Sequence, residues 1–437
     1  MFLLDLFSAI DHFLALPSLI LFFGVGIFLT LKTRFIQLRA FPHFLTLVRK
    51  GVKQHHQVKN EKTISPIQAM LTAMATTIGM GNIVGPSVAI MIGGPGALFW
   101  LVAYSFLGAV TKFTEVLFAV NMRTRLQDGT ILGGPTQYLK HASVFLSQWY
   151  GALTLVMFAG WSGMQANTLA SIFAMELVPR WTTGLVLASF TFFILLGGIK
   201  RIGQLASKIV PLMCVLYLGF TLSILLSNPA ALWAGIKLVF SCAFSPSAAA
   251  GGFLGASVFI AMRTGVQRNM HITEAGLGTS SIAHSMTDVD KASDQAVLAM
   301  FSIIADTTLA FLSGLLVIVS GRWMTAVFSP TIVYEIFKSY SPGFGKWVLL
   351  GSITLFVVTT VIGNSFNASQ SFSSFFGTRG LKWLYLVLVT IVFGGALMHV
   401  ELVWRMMGVI QDLVAIPHVI GLLILTVTYG KLLNIKF

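Results

Sequence analysis

The sequence predicts an all-α polytopic membrane protein, and three observations carry that prediction. The 437-residue chain is 56% hydrophobic and only 10% charged, whereas an ordinary globular domain carries roughly 25% charged residues. Its mean hydropathy is +0.86. Its apolar residues gather into eleven stretches: 15–32, 65–92, 96–121, 148–175, 182–199, 206–227, 232–262, 295–320, 345–375, 381–400 and 404–431. A helix crossing ~30 Å of hydrocarbon needs about 20 such residues. Two cysteines, Cys214 and Cys242, exclude a disulfide scaffold and leave no zinc spacing.

Each stretch has its own justification. The first is preceded by Asp5 and Asp11, has no basic residue before Lys32, and lacks an A-x-A cleavage site. It therefore reads as a retained helix rather than a signal peptide. With the N-terminus outside, 21 of the 28 basic residues fall on the inner face, Arg263 and Arg268 among them. Six fall on the outer face and Lys112 lies within a span. That asymmetry follows the positive-inside rule and accounts for most of the formal charge of +14 without a nucleic-acid partner. Residues 34–50 (RFIQLRAFPHFLTLVRK) mix basic and large apolar side chains, as an interfacial helix does.

The second stretch carries the sequence Ala75-Thr76-Thr77-Ile78-Gly79-Met80-Gly81-Asn82. Two glycines flanking Met80 in mid-span lower the cost of unwinding, and irregular backbone at membrane depth must face protein or a cavity. An unwound helix offers amide donors for a carboxylate at the new N-terminus and free carbonyls for a small cation at the other end. Close helix packing through Gly81-x-x-x-Gly85 is the plainer alternative. The seventh stretch is also interrupted, by Ser245-Pro246-Ser247-Ala248-Ala249-Ala250-Gly251-Gly252, five spans later. Interruptions at matching positions of two halves point to a transporter site between inverted repeats. A break at Gly265–Gly278 is the second option, set aside because it buries Arg263 and Arg268 deeply.

These residues resemble the alanine or glycine:cation symporter (sodium:alanine symporter) family. Gly79-Met80-Gly81-Asn82-Ile83-Val84-Gly85 is similar to its GTGNIAG, and Gly93-Gly94-Pro95-Gly96-Ala97-Leu98-Phe99-Trp100 to GGPGAxFW. Gln165-Ala166-Asn167, Gly197-Gly198-Ile199-Lys200-Arg201, Glu274-Ala275-Gly276-Leu277-Gly278, Asp306-Thr307 and Asp412 with Ile416-Pro417 continue the likeness along nearly the whole chain. The resemblance implies a leucine-transporter-type fold: one extra N-terminal helix within residues 1–64, then two inverted five-helix repeats, 65–227 and 228–437. It also implies sodium-coupled uptake of a small neutral amino acid (alanine, glycine or D-alanine class), with sodium as coupling ion and no cofactor. The setting is a bacterial inner membrane, with the C-terminus cytoplasmic and a monomer expected. Proton-coupled uptake of a more polar amino acid by the same fold is the alternative.

The resemblance also implies a site. Ala75 and Ile78 carbonyls with Thr359 and Thr360 hydroxyls form an oxygen-only sodium site. Substrate contacts come from Thr77, Gly79, Gly81, Gln165, Thr360 and Asn364, with Ser245 and Gly252 of the seventh-span break meeting the ammonium. This chain departs from the family at Met80, at Thr273, and at Asn364, which stands where the family places a pocket tryptophan. Bonding of a membrane threonine to its own helix is the ordinary alternative for Thr359 and Thr360, and helix bridging is that for Gln165. Lys112 and Glu115, three apart on one helix face, read as a structural pair. Asp306 is the single acid well inside the eighth span, either holding helix ends or coupling protons. His284 reads as structural. His271, Glu274 and His284 do not have the spacing of a hydrolytic or metal site, and the paired breaks argue against a channel filter.

Overall fold

The computed structural model describes residues 2–53, 63–125, 131–244, 258–325, 330–377 and 379–435. These are helical apart from a short hairpin, Thr124–Arg125 with Ile131–Leu132. The helices are α1 (Phe2–Lys32), α2 (Phe41–Lys53), α3 (Pro66–Thr77), α4 (Met80–Gly93), α5 (Gly96–Asn121) and α6 (Val144–Ala174). They continue with α7 (Arg180–Leu195), α8 (Gly198–Leu226), α9 (Pro229–Phe244), α10 (Val258–Thr273) and α11 (Ser281–Ser285). The last are α12 (Ala292–Val319), α13 (Ile332–Tyr340), α14 (Gly345–Phe376), α15 (Leu381–Leu397) and α16 (Val400–Thr428).

Among the described residues seven helices (α1, α5, α6, α8, α12, α14 and α16) are long and apolar enough to cross a membrane. Taken together as one span, the bent pair α3–α4 passes the same length and hydropathy test and brings the number to eight. The remaining apolar stretches fall on α7, α9 and α15, of 16, 16 and 17 residues. Sixteen residues rise only about 24 Å, so these cross only where the bilayer thins or flanking residues complete them. Of the expected span 232–262, the described residues are α9, to Phe244, and α10, from Val258.

Local chemistry explains the elements that frame the centre. Helix α3 begins on a capping box, in which Ser65 Oγ accepts from the Gln68 amide and Gln68 Oε1 from the Ser65 amide, with Pro66 in the first position. Left-handed Arg34 and Phe35 turn the chain out of α1. Most of the basic stretch 34–50 is helical, and α2 lays Phe41 and Phe44 against Phe301 of α12 while His43 meets Asp294 at 2.9 Å. Helix α5 packs along α10 and α12, and α6 along α14, α15 and α16, so that α3 and α4 lie between the two groups.

Candidate substrate and ion site

Helices α3 and α4 meet at 44°. Thr77 ends one, Ile78 (φ −82°, ψ 95°) and Gly79 (φ −147°, ψ −157°) are extended, and Met80 starts the other. Three helices supply the groups that satisfy this break. From α14, the Thr360 hydroxyl lies 3.2 Å from both the Ala75 and the Ile78 carbonyl oxygens. From α6, Gln165 Oε1 accepts from the Met80 amide at 3.1 Å. From α12, Asp306 Oδ1 accepts from the Thr77 hydroxyl at 2.9 Å, and its backbone carbonyl accepts from Asn82 Nδ2 at 3.2 Å. Asn82 Oδ1 in turn takes the Gly79 amide at 3.0 Å.

The glycines are required by space rather than by backbone angle. A Cβ on Gly79 would lie 2.5 Å from Thr360 Oγ1, and one on Gly81 would lie 2.9 Å from the His271 ring. Gly363 is equally tight against Thr76, at 2.3 Å. His271 itself stands edge-on to Trp161 at 5.2 Å, and Trp161 sits one turn before Gln165 on α6. Trp161 Nε1 is buried without a partner among the described residues, as are both amide atoms of Asn364 and of Asn367. A buried polar group left unpaired costs about 1–3 kcal/mol.

The expected residues divide clearly. Ala75, Ile78, Thr360, Gly79, Gly81, Gln165 and Thr77 converge on the break. Thr359 does not: its hydroxyl bonds the Leu355 and Phe356 carbonyls of its own helix, at 2.9 and 3.0 Å, and faces Met213 of α8. Asn364 lies one turn beyond Thr360 and is fully buried. Ser245 and Gly252 lie outside the described residues.

The described chain leaves the helix at the option set aside on sequence. Helix α10 ends at Thr273 and runs into a turn whose Glu274, Gly276 and Gly278 have φ of 57, 91 and 73°. The objection was the burial of Arg263 and Arg268, and the structure answers it with partners. Arg263 Nη2 donates to Asp11 Oδ2 at 2.5 Å, and the Arg268 guanidinium lies 5.4 Å from the Trp404 ring centroid. Both sit at the end of the bundle where α1 begins, so they share the face of the N-terminus and not the opposite face expected for them. Counting the two with the face of the N-terminus changes the expected division of basic residues from 21 against 6 to 19 against 8.

Lys112 and Glu115 are corrected as well. They do not pair with each other; each holds the turn after α10. Lys112 Nζ donates to the Thr273 carbonyl at 3.0 Å and lies 3.9 Å from Asp306 Oδ2, and Glu115 Oε1 accepts from the Gly276 amide at 2.8 Å. Tyr150 donates to the Leu277 carbonyl and His418 Nδ1 meets the Gly276 carbonyl, both at 2.8 Å. His284 bonds Gln295 at 2.6 Å. Asn82, His271 and this turn lie beside the break without having been among the expected site residues, and the Gly276 and Gly278 pair was the available signal.

A helix broken in mid-span and held by side chains of three neighbouring helices inside an apolar bundle is the architecture of a transporter, and the comparisons agree. A sequence model of the sodium:alanine symporter family matches residues 1–435. The chain belongs to that family. It is 33% identical to the sodium/alanine symporter AgcS of Methanococcus maripaludis, over 97% of this chain and 94% of that protein. It is 30% identical to the probable sodium/glutamine symporter GlnT of Bacillus subtilis, over 93% of this chain and 85% of that protein. In fold it is similar to a substrate-bound, outward-open Na+-coupled sialic acid symporter, with a TM-score of 0.58 at 11% identity, covering 89% of this chain and 82% of that one.

Proposed function

We propose that this protein carries a small neutral amino acid, of the alanine, glycine or D-alanine class, into the cell together with sodium. The observation that carries the reading is the convergence of the Ala75 and Ile78 carbonyls on the Thr360 hydroxyl beside an amide terminus held by Gln165. Hard, uncharged oxygens suit a monovalent cation that must bind and leave. The start of α4, with its amides and positive helix end, suits the substrate carboxylate. Thr77 and Asn364 complete the substrate contacts, and the orphaned amide of Asn364 favours a substrate with hydrogen-bonding capacity near that end. Thr359 joins the ion set only by turning from its own helix carbonyls.

The arrangement proposed around the site is eleven spans, with an N-terminal unit (1–64) ahead of two inverted five-helix repeats (65–227 and 228–437). The protein is placed in a bacterial inner membrane as a monomer, N-terminus out. Sodium and substrate need no chemistry to couple; each raises the other's affinity if both favour the same state, commonly by about 1–3 kcal/mol. The test is uptake of labelled amino acids into proteoliposomes, screened over L- and D-forms. Saturable uptake that needs an inward sodium gradient supports the reading. Uptake driven equally by a proton gradient in sodium-free buffer would replace it with the proton-coupled alternative, centred on Asp306.

A further inference from the structure

A cavity of about 280 Å³ opens at the end of the bundle where α1 begins. Its walls carry Asp11 of α1, Arg263, Gln267 and Arg268 of α10, and Trp404 and Arg405 of α16. That volume stands at the small end of ligand pockets, roughly 300–1,000 Å³, and fits a small amino acid. Among the described residues three guanidinium groups and one carboxylate line it, and a cleft of one sign with apolar walls concentrates the opposite ion.

The three arginines are not equivalent. Arg263 is already satisfied, because Nη2 meets Asp11 Oδ2 at 2.5 Å and the Asp11 carbonyl at 2.9 Å. Gln267 holds the other Asp11 oxygen at 3.2 Å. Arg405 is exposed at the rim. Arg268 leans on the face of Trp404, and its Nε is buried without a partner among the described residues. A guanidinium fixed by an aromatic face, with donors unspent, is a planar fork for a carboxylate.

The floor of this cavity is also the roof of the helix break. Gln411 donates to the Gln267 carbonyl at 3.4 Å and its Oε1 meets His271 Nδ1 at 3.1 Å. The His271 ring covers Gly81 and lies 6.1 Å from Trp404. Trp404 and His271 are therefore the partition between the two spaces.

We propose that this cavity is a loading site. It captures the carboxylate of an incoming amino acid on Arg268 before the solute passes the Trp404–His271 partition. Asp11, supplied by the N-terminal helix, holds Arg263, and buried Asp412 beside the cavity is a second carboxylate near both arginines. Neither takes the Arg268 Nε donor, which remains for the carboxylate of a solute. The proposal rests on the transport reading above for the direction of passage only; capture itself needs neither sodium nor turnover.

The test uses the full-length chain in detergent, in sodium-free choline buffer, with the arginine reagent phenylglyoxal and mass-spectrometric readout at each arginine. Propionate should slow modification of Arg268 on the order of tenfold, equivalent to about 1.4 kcal/mol, and propionamide should not. In Asp11→Asn, propionate should protect Arg263 as well. The proposal is overturned if Arg268 is unreactive without ligand, if propionamide protects equally, or if chloride or inorganic phosphate matches propionate at the same concentration. In proteoliposomes, Arg268→Gln should raise the half-saturating L-alanine concentration about tenfold, keeping the maximal rate and the sodium dependence. An unchanged half-saturation overturns the loading role. If neither alanine enantiomer nor glycine is carried, the proposed function fails while the protection experiment still decides this one.

Discussion

Two places where helices give way among the described residues are built differently. At Ile78–Gly79 the free backbone groups meet neutral side chains: the Thr360 hydroxyl, the Gln165 carbonyl and the Asn82 amide. At Glu274–Gly278 they meet Lys112, Glu115, Tyr150 and His418, and the turn is locked by left-handed residues. Neutral partners at moderate distance can be exchanged for an ion or a carboxylate at little cost. Removing one member of a buried charge network leaves another charge uncompensated. The first break is thus suited to ligand exchange, while the second is anchored.

The largest expected effect tests the exchangeable half. Thr360→Ala removes the one side chain facing both carbonyls, and sodium-driven uptake in proteoliposomes should fall on the order of 100-fold, about 2.7 kcal/mol, with the protein still folded by thermal melt. Uptake that keeps its sodium dependence would sink the ion site. Next comes the anchored half. Lys112→Met leaves the Thr273 carbonyl and Asp306 Oδ2 without their cation, so stability should drop by about 3–5 kcal/mol. A melting temperature close to wild type would erase the contrast between the two regions.

A smaller effect sharpens the comparison at the edge of the first break. Asn364→Trp fills the space beside an amide that now has no partner among the described residues. It should narrow the substrate range toward glycine and alanine by about tenfold in relative uptake, read by competition. An unaltered profile would remove Asn364 from the pocket.

The smallest effect is a control far from both breaks. Lys346, Tyr334 and Lys338 donate to Glu176, the lysines at 2.8 and 3.0 Å, and hold its carboxyl down from its ordinary 4.5 to about 2. A depressed carboxyl stabilises the fold above its ordinary range, and that contribution is lost as pH falls from about 4.5 toward 2. Glu176→Gln should therefore flatten the small acid-side decline in melting temperature between pH 5 and pH 3, with sodium dependence untouched. An identical decline in both proteins would show the cluster to be energetically silent.

Much of this was legible in the residues. Gly79 and Gly81 announced the first break, because a glycine pair beside Asn82 in mid-span weakens a continuous helix that hydrocarbon would otherwise enforce. Gln165 stood out as a lone amide in an apolar helix. The second break was read at Ser245–Gly252, because a proline and small residues interrupt an apolar run there. The residues around Glu274 were passed over since Arg263 and Arg268 looked too polar for a spanning segment. Their partners, Asp11 and Trp404, lie some 250 and 140 residues away in the chain, and no local pattern reveals such pairs. Lys112 and Glu115 misled for the converse reason: spacing puts two side chains on one helix face, but the neighbouring helix decides where their charges go.

The sequence by itself determined that this chain is a bundle of apolar helices with one unwound span and a family-specific set of glycines. Hydropathy and backbone steric freedom are local properties, written residue by residue. Only the tertiary structure decided which hydroxyl of the Thr359–Thr360 pair meets the carbonyls, and that Asp306 ties both half-helices together. It also decided that two arginines lie at the end of the bundle where α1 begins. Those outcomes depend on the rotation and depth of one helix against another, which burial and charge pairing settle only once the bundle has closed.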